Sequence, residues 1–178
     1  MTNEARPATR LTALGFGETW RNRGTLAGLG IVYAVTATLI YLSAELGKWS
    51  PSFSPVGQSL ALAVGFFFLP SLAEELFWRW LLIPPSCFDG KAGRTIGWVL
   101  ATAAVFTAAH PVAGTFFVPH AREIFTNPAF LLIVYLLGVT CGASYVIARS
   151  IWPPVVVHWL TVLAWKFLLG GPFVLLGR

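Results

Sequence analysis

Five long apolar runs, separated by short polar or turn-rich segments, dominate the pattern of this 178-residue chain. A run of about 20 apolar residues is long enough to cross a bilayer as a helix, and a soluble core does not need several such runs. The pattern therefore predicts an all-α fold, a polytopic membrane helical bundle with about five transmembrane helices. A polar N-terminal segment, residues 1–23, precedes a transmembrane helical domain, residues 24–178. The predicted helices cover residues 24–46, 56–84, 94–110, 129–148 and 155–169.

Prolines and small residues predict where these helices bend, end and pack. Pro70 lies inside the second run, where it removes one backbone hydrogen bond and should bend the helix about one turn before Glu74. Pro111 should end the third helix. The small residues of segment 138–144 predict close approach of a neighbouring helix, and Gly24 and Gly28 in the first run have a spacing that suits the same kind of contact.

Composition and charge narrow the class of protein. Hydrophobic residues make up 56% of the chain and charged residues 11%, well below the roughly 25% of soluble domains. The net charge of +5 is spread over the linkers between apolar runs, a pattern that sets membrane orientation and forms no nucleic-acid-binding patch. The lysine and arginine bias favours a cytoplasmic N-terminus. The expected surroundings are the lipid bilayer, with no nucleic acid, and the oligomeric state stays open.

Five of the ionisable residues inside the apolar runs are candidates for a functional site, because such groups are costly there and commonly have a function. Glu75 and Arg79 are four residues apart, so on a helix they share a face and can form an ion pair. Glu74 points about 100° away from Glu75 and needs a partner on another helix. His110 and His158 are the candidates. Helix lengths place Glu74, His110 and His158 on one side of the membrane, with His158 the shallowest, which predicts a single cleft.

These side chains suit the hydrolysis of an amide. A carboxylate and an imidazole that converge on one water form a general-base pair. A second imidazole on the far side of the substrate carbonyl can donate to the developing oxyanion. This chemistry needs no covalent intermediate and no cofactor. The plainer interpretation is that Glu75 and Arg79 form only a structural ion pair, and that each histidine is a satisfied interior side chain.

Several other interpretations remain open at the level of sequence. Glu74, His110 and His158 could be zinc ligands of a membrane protease, although no His-Glu-x-x-His helix is present. The same buried groups could form a proton relay in a transporter. Two cysteines give neither a disulfide framework nor a metal site, and Cys141 is interpreted as a buried structural thiol. His120 lies in the mixed segment 113–128, which predicts a short interfacial helix, and is interpreted as a solvated histidine.

Three motifs resemble a known family. They are Glu-Glu-x-x-x-Arg at residues 74–79, Phe-x-x-x-His at residues 106–110, and a segment that runs from Gly138 through Pro153 and Pro154 to His158. The chain resembles the CAAX protease and bacteriocin-processing (CPBP/Abi) family of glutamic intramembrane endopeptidases over about residues 56–169. Its last part, residues 158–171, is similar to a bacterial subset that is tied to C-terminal sorting signals.

The resemblance implies a role for each polar residue. Glu74 and His110 would activate a water, His158 would belong to the oxyanion site, and Glu75 and Arg79 would support the constellation. It also implies a peptide or protein substrate near the membrane surface and a location in the bacterial inner membrane. One position departs from the family, which often has Asn four residues after the last histidine, where this chain has Val162. The neighbouring hydroxyl of Thr161 could replace that donor, or the protein could be a non-catalytic immunity or partner protein.

Overall fold

Six helices make up the fold in the computed structural model, which describes residues 9–53 and 55–171. We number them in chain order, and no β-strand occurs among the described residues, in agreement with the predicted all-α class. The last residues of the predicted transmembrane domain, 172–178, lie outside the described residues. The helices are α1 (Arg23–Ser43), α2 (Val56–Leu81), α3 (Ala92–Phe116), α4 (Arg122–Phe125), α5 (Pro128–Ala148) and α6 (Trp152–Phe167).

Four of these helices, α1, α2, α3 and α5, are long and apolar enough to cross a membrane, so the protein is an integral membrane protein. The fifth predicted span corresponds to α6, which has 16 residues and is about 24 Å long. It begins three residues earlier than predicted, because Pro153 and Pro154 occupy its first turn, where a missing backbone N–H costs no helical hydrogen bond. The predicted polytopic helical bundle is confirmed.

The fifth helix in the chain, α5, is the centre of the bundle. Its apolar window is 56% buried, against 11% for α1, whose large hydrophobic side chains face outward as lipid-facing residues do. α3 packs along α5 more closely than any other pair of described helices. At Gly138 an added Cβ would lie 2.9 Å from the Cβ of Ala103. The predicted small-residue contact is therefore confirmed, and α3 is the neighbour.

The two glycines of the first helix have a spacing that also suits such a contact, but they do not make one. An added Cβ at Gly24 or at Gly28 would meet nothing within 4 Å. The spacing of two glycines allows a close helix approach but does not require one, because the rotation of the helix decides which neighbour they meet.

These two kinds of glycine give a matched test of the packing. We expect Gly138→Ala to lower the thermal unfolding temperature in detergent, because the new methyl group would lie within 3.0 Å of the Ala103 backbone and overpacking costs about 1–3 kcal/mol. Gly28→Ala should leave the temperature unchanged or raise it, since the site is open and alanine favours the helix. Equal unfolding temperatures for both variants would contradict the assigned α3–α5 contact.

The helix α2 is interrupted where Pro70 predicts a bend. Leu69, the residue before this proline, has extended backbone angles (φ −134°, ψ 116°), and the chain resumes a helical course that carries Glu74 and Glu75. The interrupted region packs against α6. One turn ahead of it, the indole Nε1 of Trp159 donates a hydrogen bond to the Ala63 carbonyl at 2.8 Å. The bend therefore turns the two carboxylates toward α6.

The predicted end of the third helix at Pro111 is wrong. Helix α3 starts at Ala92 and continues through Pro111 to Phe116. In an apolar setting an ended helix would leave several backbone groups without partners, whereas continuation leaves only those at the proline. The hydroxyl of Thr115 donates a further hydrogen bond to the Pro111 carbonyl at 2.8 Å, within the same helix. Residues 113–116 consequently belong to α3, and the rest of the mixed segment holds a 3₁₀ helix at Pro119–Ala121 and the short helix α4.

The loops assemble into two opposite ends of the bundle. Residues from the N-terminal segment contact the ends of α2 and α5: the Trp80 indole donates to the Arg10 carbonyl at 2.8 Å, and the Ser150 hydroxyl donates to the Gly15 carbonyl at 2.6 Å. At the other end, the backbone N–H of Ser50 donates to the Leu168 carbonyl at 2.8 Å. This alternation agrees with the order of the predicted spans, and the cytoplasmic location of the N-terminus stays a prediction.

Candidate active site

The centre of the site is a buried network of charged groups. Glu75 is fully buried, and its two carboxylate oxygens face different partners. Oε2 lies 3.0 Å from Arg79 Nε, and Oε1 lies 2.8 Å from His158 Nδ1. Arg79 Nη2 also donates to the carbonyl oxygen of Gly138 at 3.2 Å. The predicted ion pair of Glu75 and Arg79 therefore exists, and it connects α2 with both α5 and α6.

The arginine is the most enclosed cation of this network. Its side chain is 1% exposed, and its guanidinium carbon lies 4.9 Å from the centre of the Phe106 ring. A guanidinium above an aromatic ring gains an additional electrostatic attraction. Because Phe106 also contacts His110 and His158 through its ring edges, at centroid distances of 4.9 and 6.1 Å, one phenyl group lies among three of the ionisable residues.

Glu74 differs from Glu75 in the exposure of its side chain and in the distance to its partner. Its side chain is 36% exposed, and its Oε2 lies 4.0 Å from His158 Nε2. The expected partner on another helix is therefore His158, at a longer distance than that of Glu75. Glu75 holds the δ nitrogen of the ring and Glu74 faces the ε nitrogen. The more exposed carboxylate of Glu74 can bind a water, whereas the buried carboxylate of Glu75 is occupied by Arg79 and His158.

His110 lies on α3 with a fixed ring orientation. Its Nδ1–H donates to the Phe106 carbonyl at 3.0 Å, which leaves Nε2 as the acceptor nitrogen of the neutral ring. The rings of Phe125 and Phe130 lie 5.2 and 6.3 Å from its centre. The ring is held by a backbone hydrogen bond on one side and by aromatic side chains around it. Its Nε2 is therefore well placed to accept a proton from a water.

One cavity of about 1310 Å³ joins these groups. Glu74, His110 and His158 all line it, as the sequence predicted for a single cleft, and most of the other lining side chains are apolar. Glu75 and Arg79 stand behind this surface. His120 is exposed and does not line the cavity. The roles of the five residues in catalysis stay predictions.

The zinc alternative finds no support in the side-chain geometry. Within residues 9–53 and 55–171, no three His, Cys, Asp or Glu side chains are grouped so that they could hold a metal ion. Cys141 is fully buried, as predicted, and its thiol donates weakly to the Pro154 carbonyl at 3.6 Å. It does not line the cavity, which makes a nucleophilic role unsuitable.

Val162 occupies the position where the family often has an asparagine, and its surroundings in the structure are apolar. Val162 packs with Phe66 and Phe167. Thr161, the candidate replacement, donates its hydroxyl hydrogen to the Val157 carbonyl at 2.8 Å, within its own helix. The sequence motifs gave no reason to select Tyr33 on α1, although this side chain lines the same cavity. The signal in the sequence that could have selected Tyr33 is its hydroxyl group, a polar group within an apolar run.

Comparison with protein families gives one match. Residues 56–164, more than half of the chain, match the model of the family described as Type II CAAX prenyl endopeptidase Rce1-like. No curated protein and no solved structure matches the chain significantly. The matched range contains Glu74, His110 and His158, and it begins after α1. The chain therefore belongs to the type II CAAX prenyl endopeptidase Rce1-like family, a branch of the CPBP family of membrane proteases that its sequence motifs resemble.

Proposed function

We propose that the protein is a glutamic-type intramembrane endopeptidase, which hydrolyses a peptide bond of a membrane-associated substrate with an activated water. One observation carries the proposal. A half-exposed carboxylate, Glu74, shares an apolar cavity with His110 and His158, and His158 is oriented by a second, fully buried carboxylate. Two carboxylates in different environments are suited to different tasks.

Glu74 and His110 would activate the water. The water oxygen attacks the carbonyl carbon of the scissile amide, and its proton passes to the carboxylate of Glu74 or to Nε2 of His110. The tetrahedral intermediate then collapses as the C–N bond breaks, and the same proton is returned to the leaving amine. The aromatic side chains around His110 keep its ring fixed and exclude other water from this position.

His158 would stabilise the negative charge on the carbonyl oxygen. Its Nδ1–H donates to Glu75, so its Nε2 donates to an oxyanion when the ring is protonated. The carboxylates of Glu75 and Glu74 face the two ring nitrogens, at 2.8 Å from Nδ1 and 4.0 Å from Nε2. Arg79 in turn balances the charge of Glu75, so that the buried network holds His158 in one orientation.

The apolar cavity indicates the kind of substrate. Its walls are mostly apolar and suit an apolar chain that enters from the bilayer, and the carboxylate of Glu74 and the two imidazoles line the same cavity. We place the protein in the bacterial inner membrane with a cytoplasmic N-terminus, following the charge bias of the linkers. A sorting-signal protein as substrate stays a prediction that rests on sequence resemblance.

Processing in the native host tests the proposal. Terminal peptides of membrane proteins would be compared by mass spectrometry between wild-type cells and cells that carry Glu74→Gln. We expect a set of proteins to lose one shared cleavage only in the variant, because the carboxylate that accepts the water proton is gone. Arg122→Gln, which changes an exposed side chain on α4 that does not line the cavity, serves as the control. Identical termini at equal protein levels would instead support a non-catalytic partner protein or a transporter.

A further inference from the structure

A tyrosine on α1 belongs to the active-site cavity although it precedes the range that matches the family. Tyr33 is 6% exposed and packs in one apolar cluster with Phe106 and Cys141. Its side chain lines the same cavity as Glu74, His110 and His158. A helix that the family match leaves out thus contributes a tyrosine side chain to the wall of the site.

The hydroxyl group of Tyr33 is enclosed without a well-formed hydrogen bond among the described residues. Thr161 is the polar side chain that it approaches. Thr161 already donates its own hydrogen to the Val157 carbonyl, so it can offer Tyr33 only an oxygen. A buried hydroxyl without a good partner lowers stability, and such groups in native proteins call for an explanation.

The proposed hydrolysis supplies that explanation. The charge on the carbonyl oxygen is commonly stabilised by more than one donor, and His158 supplies one. One turn further along α6, Val162 offers none. We propose that the Tyr33 hydroxyl is the second donor to the carbonyl oxygen of the scissile peptide bond, so that α1 completes the active site. The phenol donates a hydrogen bond throughout and no proton is transferred. This inference rests on the proposed proteolysis.

A second tyrosine, Tyr145, provides a control that distinguishes a catalytic role of Tyr33 from a structural one. Tyr145 is fully buried, and its hydroxyl also lacks a hydrogen bond among the described residues, but it lies outside the cavity. Tyr145→Phe and Tyr33→Phe therefore remove the same group from equally enclosed sites. Because neither hydroxyl makes a well-formed hydrogen bond, neither change should destabilise the fold.

The test uses full-length protein in liposomes and a library of internally quenched peptides with apolar tails. We expect Tyr33→Phe to lower kcat by about 100-fold, since one oxyanion donor contributes about 10²–10³, and to change KM by less than about twofold. Tyr145→Phe should retain the wild-type kcat. In the double variant Tyr33→Phe/Val162→Asn, an amide one turn beyond His158 should restore part of the lost kcat.

The possible results distinguish the two proposals. If Tyr33→Phe keeps the kcat of Tyr145→Phe while Glu74→Gln is inactive, Tyr33 is no oxyanion donor and the proteolysis proposal stands. A raised KM with unchanged kcat would make Tyr33 a ground-state contact and also overturn the inference. If wild type and Glu74→Gln cleave the peptides equally, the proposed function fails, and the role of Tyr33 fails with it.

Discussion

Glu74→Gln and Glu75→Gln are expected to give opposite results in a folding assay, although the two residues are adjacent. The Glu74 variant should be folded and inactive, because its half-exposed carboxylate has only a distant partner, 4.0 Å away on His158. Its loss removes a general base, an effect of about 10²–10⁴ in rate. The Glu75 variant should lose stability and activity together, since this fully buried carboxylate holds Arg79 and His158.

Both variants would be purified and assayed together for cleavage of the quenched peptides and for thermal unfolding. Glu18→Gln is a suitable control, because its carboxylate pairs with the exposed Arg21, neither residue lines the cavity, and such surface pairs contribute little. An active Glu74→Gln protein would exclude this carboxylate as the base. Equal stability of the two glutamine variants would show that the buried network does not hold the helices as described.

The second large effect is expected at Arg79. Arg79→Met leaves the Glu75 charge with only His158 as a partner in a fully buried position, and removal of one partner from a buried ion pair costs about 3–5 kcal/mol. The double variant Glu75→Gln/Arg79→Met should regain much of the unfolding temperature, because no unbalanced carboxylate remains. It should stay inactive, since His158 then loses the charged partner that orients its ring.

Both cysteines provide the readout for this experiment. Cys87 and Cys141 are free thiols and buried, and burial raises the pKa of the Cys87 thiol above its ordinary value. Both should therefore react slowly with a fluorescent maleimide until the protein unfolds. Heating with this reagent gives an unfolding temperature for each variant. An Arg79→Met protein as stable as wild type, or a double variant no more stable than Arg79→Met, would contradict the described network.

The sequence predicted the candidate site well wherever local periodicity decides the outcome. The four-residue spacing of Glu75 and Arg79 placed them on one helix face, and their ion pair is present. The sequence could not tell which carboxylate is buried. That depends on the rotation of α2 after the break at Leu69, and hence on its packing against α6. Tyr33 was missed for the same reason, because its place in the cavity depends on how α1 lies against α5 and α6.

The sequence by itself determined that this is an all-α membrane protein, and it determined where its long helices lie. Length and apolarity decide these properties, because a bilayer requires long apolar helices whose backbone groups are paired within the helix. Only the tertiary structure decided that α3 passes through Pro111, that Gly138 and not Gly28 meets a neighbour, and that His158 lies between the two carboxylates. Each of these outcomes depends on how helices far apart in sequence rotate and pack, and a local pattern leaves that rotation undetermined.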